Sequence, residues 1–135
     1  VITGMLEHWP ALEKWNARYL KDRCGEQEVE IQMGRESDPL YEMNSISHKK
    51  MMRFGEFIDM LFTTGSSNDF YMTANNANRN SEALAALYED LPNLDEYLDP
   101  ARRGFIWMGP AGTVTPLHHD LTNNFMAQIS GRKRV

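Results

Sequence analysis

Residues 104–135 break into short β-prone stretches at 105–108, 114–118, 124–129 and from 133 onward, separated by Gly109-Pro110, Gly112 and Gly131. Strands spaced this closely predict consecutive antiparallel pairing, with the three glycines as turn residues where φ can be positive. Everything before Gly104 has a different texture, in which helical and strand patterns alternate over longer intervals. The whole therefore reads as an α+β domain, about 1–103 helical and mixed, about 104–135 β.

The amino-terminal pattern predicts a strand end at 1–3 and a helix opening at Pro10, with Leu12, Trp15 and Tyr19 on one face and Gly25 as its stop. Alternation of polar and apolar residues predicts a half-buried strand at 28–33, followed by loop to Ser47 and a strand at 48–54. Phe57, Ile58, Leu61 and Phe62 make the apolar stripe of a helix from Gly55, and a strand follows at 70–73. An Asn-rich turn from Asn75 to Asn80 leads to a helix capped by Ser81, with Leu84, Leu87 and Tyr88 inward. Pro92 and Pro100 bracket a short helical stretch.

At 135 residues, 41% hydrophobic and 24% charged, the composition is that of one globular domain. A net charge of −5 disfavours nucleic acid as a partner. Cys24, the only cysteine, excludes an internal disulfide and a cysteine-rich zinc site. No apolar run approaches the ~20 residues that cross a bilayer, so no membrane role is expected and cytoplasmic localisation is the default.

The chemistry-bearing segment is Thr-Pro-Leu-His-His-Asp at 115–120. On an extended strand His118 and Asp120 share one face and His119 turns to the other. One imidazole beside one carboxylate makes two thirds of the 2-His-1-carboxylate set that holds non-haem Fe(II) with adjacent positions open. His118 and Asp120 are therefore the metal-ligand candidates, and His8 and His48, lacking convergent partners, read as ordinary polar residues.

Trp107 to Asp120, continued through Asn124, Gln128, Gly131 and Lys133, resembles the core of the cupin-like JmjC oxygenases. In their protein-hydroxylase branch T-P-x-H-x-D leads into N-x-x-x-Q-x-x-G-x-K, and this chain matches that run without a gap. Ile2-Thr3-Gly4, Trp9-Pro10-Ala11, Trp15 and Tyr19-Leu20 are similar to the opening of the same domains.

The resemblance implies a partial double-stranded β-helix (cupin, jelly-roll) over 104–135 within one incomplete domain spanning 1–135. It also implies Fe(II) as cofactor and 2-oxoglutarate as co-substrate. In the family's positions, Lys133 takes the distal carboxylate of 2-oxoglutarate, Thr115 offers it a hydroxyl, Asn124 lies nearby, and Tyr71 is a fourth member. The implied reaction couples decarboxylation of 2-oxoglutarate to hydroxylation or demethylation of a substrate, with a protein side chain favoured. These enzymes take their second histidine from a later strand, so the chain is expected to be part of a longer protein, inactive alone and prone to pair as a homodimer. Two other readings stay open: a cupin-type metal protein without 2-oxoglutarate, and a non-catalytic interaction module.

Overall fold

In the computed structural model, which describes residues 1–74, 76–99 and 104–135, a three-stranded antiparallel sheet carries helices on one face. Asn75, expected at the head of the Asn-rich turn, and Pro100, expected to close the stretch after Pro92, lie outside the described residues.

Helix α1 (Ala11–Lys14) follows Pro10, whose ring presets a helical φ of −55°. The single helix expected here is two. Trp15 leaves the helical region, and Asn16 caps α2 (Ala17–Cys24) by accepting from the Tyr19 amide at 3.0 Å. An asparagine oxygen that satisfies an orphan N–H of a new first turn outcompetes continuation of the old helix.

Strand β1 (Glu28–Met33) lies between β2 (Lys49–Arg53) and β3 (Phe70–Tyr71), with Gln32 opposite Lys49 on one side and Tyr71 on the other. Val29 and Ile31 point into the core formed by Leu20 and Cys24 of α2, Phe54, Phe57 and Ile58 of α3 (Phe54–Thr63), and Leu84 and Leu87. Phe57 meets Phe70 edge to face, with ring centroids 6.1 Å apart. Truncating a side chain buried this completely costs roughly 3–5 kcal/mol, so the core rests heavily on Phe57.

No strand forms at 1–3, and Ser81 is not a cap. Helix α4 (Arg79–Ala83) starts earlier, because Asn78 adopts a left-handed φ of 67°, which asparagine tolerates better than most residues. It tightens into a 3-10 turn at Ala85–Asp90. Asn80 is buried, and its amide accepts from Glu30 N at 2.7 Å and donates to Glu30 O at 2.8 Å, completing β1 where β3 is too short to reach. After Pro92 a single turn forms, with the Tyr97 and Leu98 amides both on Leu94 O.

The expected strands of 104–135 differ most from the structure. Only Met108 pairs, in an isolated bridge with Met72. The stretches 114–118, 124–129 and 133 onward are irregular and largely exposed. A β-strand exists through its ladder, and among the described residues no second segment runs alongside these three.

Candidate metal centre

Residues 104–115 run along the β3 edge of the sheet as a strap, bridged to it at Met72–Met108, whose polar groups are taken up by the framework. Ala111 O accepts from Ser67 N at 2.7 Å, Val114 N donates to Asn68 Oδ1 at 2.9 Å, and Val114 O accepts from Arg35 Nη2 at 2.8 Å and Tyr41 Oη at 3.2 Å. Gly112 turns at φ 90°, and a Cβ there would lie 2.4 Å from Ser66 Oγ. Gly131 also has positive φ, whereas Gly109, grouped with it in the sequence, is a close-approach glycine. A Cβ on Gly109 would stand 2.8 Å from the ring of Tyr71.

Below the strap opens a cleft of about 520 Å³. One wall is Gln32, Glu42, Ser45 and Thr73 of the sheet and the loop after β1; the other is Trp107, Thr115, Pro116, Leu117, His118 and Asp120. The structure thus brings His118, Asp120 and Thr115 to one cavity.

His118 is held by its own turn. Its Nδ1 lies 2.8 Å from Pro116 O, a carbonyl that can only accept, so Nδ1 is the donor and Nε2 is the ring nitrogen left to meet a ligand. That Nε2 stands 3.9 Å from Asp120 Oδ2. The Asp120 carboxylate in turn accepts a hydrogen bond from the Asn124 amide, so Asn124 orients a candidate ligand. The resulting pair is an imidazole nitrogen and a carboxylate oxygen, half exposed on the cleft wall, a donor set that fits two positions on a divalent transition metal. Among the described residues no third His, Cys, Asp or Glu gathers with them.

Tyr71 lies behind Thr115. Burial pushes its phenol up from the ordinary range, against the opposing pull of a side-chain hydrogen bond with Thr115 and the nearby Arg35 charge. Its ring tilts against Trp107 with centroids 5.7 Å apart. Lys133 is exposed and is not among the residues lining the cleft.

Several residues of the site had no linear signal. Gln32 is 3% exposed with its Oε1 unpartnered, and fully buried Arg35 stacks on Tyr41 and Tyr71. Their place comes from β1 pairing with β3, which the strap joins at Met72–Met108, long-range contacts no local pattern encodes. His48, read as an ordinary polar residue without partners, is instead clamped between Met33 O at 3.0 Å and Asp38 Oδ2 at 3.1 Å. It fastens the loop that supplies Glu42 and Ser45.

Residues 1–135 match the cupin-like domain family. The chain is 32% identical over 148 residues to lysine-specific demethylase 8 of Xenopus tropicalis, covering all of this chain and 30% of that protein. It is 30% identical over 148 residues to the lysine-specific demethylase JMJ30 of Arabidopsis thaliana, again over its whole length and 31% of the relative. With the human bifunctional peptidase and (3S)-lysyl hydroxylase JMJD7 it shares 26% identity over 145 residues, 98% of this chain and 45% of that one. The chain thus spans less than half the length of these curated relatives. Among the described residues no helix is long and apolar enough to cross a membrane.

Proposed function

The chain belongs to the cupin-like, JmjC-domain family, and from that premise we propose that it carries part of the site of an Fe(II)- and 2-oxoglutarate-dependent oxygenase acting on a protein side chain. His118 Nε2 and Asp120 would hold the iron, with the third protein ligand outside these 135 residues. Bound iron would supply the oxygen chemistry that couples decarboxylation of 2-oxoglutarate, to succinate and carbon dioxide, with hydroxylation or demethylation. The chain's own residues bind, orient and exclude water. Thr115, with Tyr71 behind it, would receive the co-substrate carboxylate, Lys133 would supply its counter-charge, and Asn124 would keep Asp120 turned to the metal. In the full protein the segment 104–135 would form the first strands of a double-stranded β-helix.

The observation that carries this reading is the His118 side chain. Its Nδ1 donates to Pro116 O, so Nε2 is the ring nitrogen turned toward a carboxylate on the wall of a cleft that also holds Thr115. The protein-side-chain substrate is supported by relatives whose names specify lysine demethylation and lysyl hydroxylation.

The test is calorimetric titration of the full-length protein with Mn(II) as a redox-silent probe, then with 2-oxoglutarate. Metal binding lost in His118→Ala, and 2-oxoglutarate binding that requires the metal, support the oxygenase. A second reading, a cupin-type metal protein without 2-oxoglutarate, is favoured by the exposure of Lys133 outside the cleft; it predicts metal binding alone. A protein that binds neither would be an interaction module.

A further inference from the structure

Arg35 is 0% exposed, yet only one of its three guanidinium nitrogens meets an oxygen. Nη2 donates to Val114 O at 2.8 Å and to Glu42 Oε1 at 3.2 Å, while Nε and Nη1 have no partner. The ring of Tyr41, 4.4 Å from the guanidinium carbon, and the ring of Tyr71, at 5.1 Å, lie against the cation. Burying a permanent charge with two nitrogens unpaired is unfavourable, and cation–π contact offsets only part of that cost. An apolar side chain of similar length would fill the same space more cheaply. What the guanidinium contributes is therefore geometry.

That geometry converges on one residue. Both backbone polar groups of Val114 are held by framework side chains, the N–H by Asn68 and the carbonyl by Arg35 and Tyr41. Val114 and Thr115 are, among the described residues, the last of the strap to be tied to the framework, Val114 through both its backbone groups and Thr115 through its hydroxyl on Tyr71. Beyond them His118, Asp120 and Gln128 bond only within the segment itself. Arg35 also stacks on Tyr71, the partner of Thr115. One side chain thus touches both supports of the hydroxyl proposed to meet the co-substrate.

We infer that Arg35 is a positioning residue: by pinning Val114 against the sheet it fixes Thr115, and through Thr115 the carboxylate of 2-oxoglutarate. The second half rests on the reading above; the first stands without it.

The test uses the full-length protein with Arg35→Met, Arg35→Lys and Tyr41→Phe. Amide hydrogen exchange of residues 113–117 reads the pinning directly. Arg35→Met should raise it roughly tenfold or more, the loss expected for a charge-assisted contact, with β1 and β2 amides unchanged. Arg35→Lys, which keeps the charge but not the planar fork, should rescue little. Tyr41→Phe, which removes one of two donors to Val114 O, should shift exchange the same way by less. In parallel, 2-oxoglutarate dissociation should weaken roughly tenfold in Arg35→Met while Mn(II) affinity holds. Unchanged exchange at 113–117, full rescue by lysine, or equal weakening of metal and co-substrate would make Arg35 a packing residue and overturn the inference. If wild-type protein binds no 2-oxoglutarate, the functional reading fails and the exchange arm alone decides Arg35. If Arg35→Met loses protection throughout the sheet, Tyr41→Phe decides it, and wild-type exchange in that variant overturns the pinning.

Discussion

The phenol of Tyr19 donates to the carboxylate of Asp90 at 2.7 Å, joining residues 71 apart in sequence. Trp15 Nε1 donates to the same carboxylate at 3.2 Å and Lys14 Nζ at 3.0 Å. Asp90, 2% exposed, is thus the knot between the amino-terminal helices and the 3-10 turn Ala85–Asp90. Desolvation would push its carboxyl up, but the three hydrogen bonds and the Lys14 charge together outweigh it and hold the pKa below the ordinary range.

Asp90→Ala should therefore destabilise the protein by about 3 kcal/mol, since it removes a buried anion and leaves two aromatic donors facing no acceptor. The check is the urea midpoint at constant slope. The sign with pH follows from the depressed pKa. Asp90 stabilises fully above its unfolded value near ~4 and loses that contribution as pH falls through the lower folded value. A wild-type and an Ala variant that unfold in parallel between neutrality and pH 2 would exclude this role.

His48 predicts the opposite limb. Met33 O accepts only, and Asp38 is a carboxylate, so both ring nitrogens donate only when the imidazole is charged. The pKa is accordingly raised from its ordinary 6.5, first by Asp38 and then by the Met33 carbonyl. Stability from this clamp is complete below the unfolded pKa and lost as pH rises through the higher folded one. Asp38, depressed by Asn44, His48 and the Leu40 amide, contributes above its unfolded pKa and loses it as pH falls. The pair works best between those limits. Thermal unfolding of wild type and His48→Gln from pH 5 to 9 should show a downward step only in wild type; a step in both would assign it elsewhere.

Local pattern made much of the framework legible. Alternation at 28–33 and the stripe of Phe57, Ile58 and Leu61 read directly as β1 and α3 because each periodicity reports one buried face, whereas Phe62, expected in the same stripe, is 56% exposed. The break at Trp15-Asn16 escaped because the apolar spacing of Leu12, Trp15 and Tyr19 continues across it, while a single side-chain cap decides the backbone. The strands expected at 114–118 and 124–129 are not formed for the converse reason, since β-propensity describes a surface that fits a partner and supplies none. At the site, Thr115, His118 and Asp120 share a cleft and could be named from their motif. Gln32 and Glu42 reach it only through tertiary pairing, Arg35 acts on it from behind through Val114, and Asp90 becomes a hub through contacts more than 70 residues distant.

Metal affinity in the full-length protein should separate the adjacent histidines. His118→Ala should abolish metal-dependent decarboxylation of 2-oxoglutarate, whereas His119→Ala should keep a measurable part, because His118 has its Nδ1 on Pro116 O and its Nε2 turned toward Asp120. Equal loss from both would remove the basis for choosing between them.

Lys133→Ala should raise the apparent KM for 2-oxoglutarate with little change in iron affinity. A charge-assisted contact to a carboxylate contributes ~1.5–3 kcal/mol, which corresponds to roughly ten- to hundredfold. The exposure of Lys133 makes this measurement decisive. An unchanged KM would take Lys133 out of the site and leave the carboxylate to Thr115 and Tyr71.

The 135-residue chain studied by itself should self-associate. Leu117 is 103% exposed and Leu121 96%, and they flank the candidate ligands in a segment whose backbone has no ladder partner among the described residues. Unpaired extended backbone carrying exposed large apolar side chains offers a template for another chain. Size-exclusion chromatography over a range of concentrations should show dimer or larger species. Leu117→Lys combined with Leu121→Lys should move the population toward monomer while far-UV dichroism stays unchanged, because neither side chain belongs to the core formed around Phe57. A wild-type chain that stays monomeric at all concentrations would sink this expectation. If that monomer also turned over 2-oxoglutarate unaided, the third metal ligand would have to come from within these residues, with His8 and His48 the first positions to substitute.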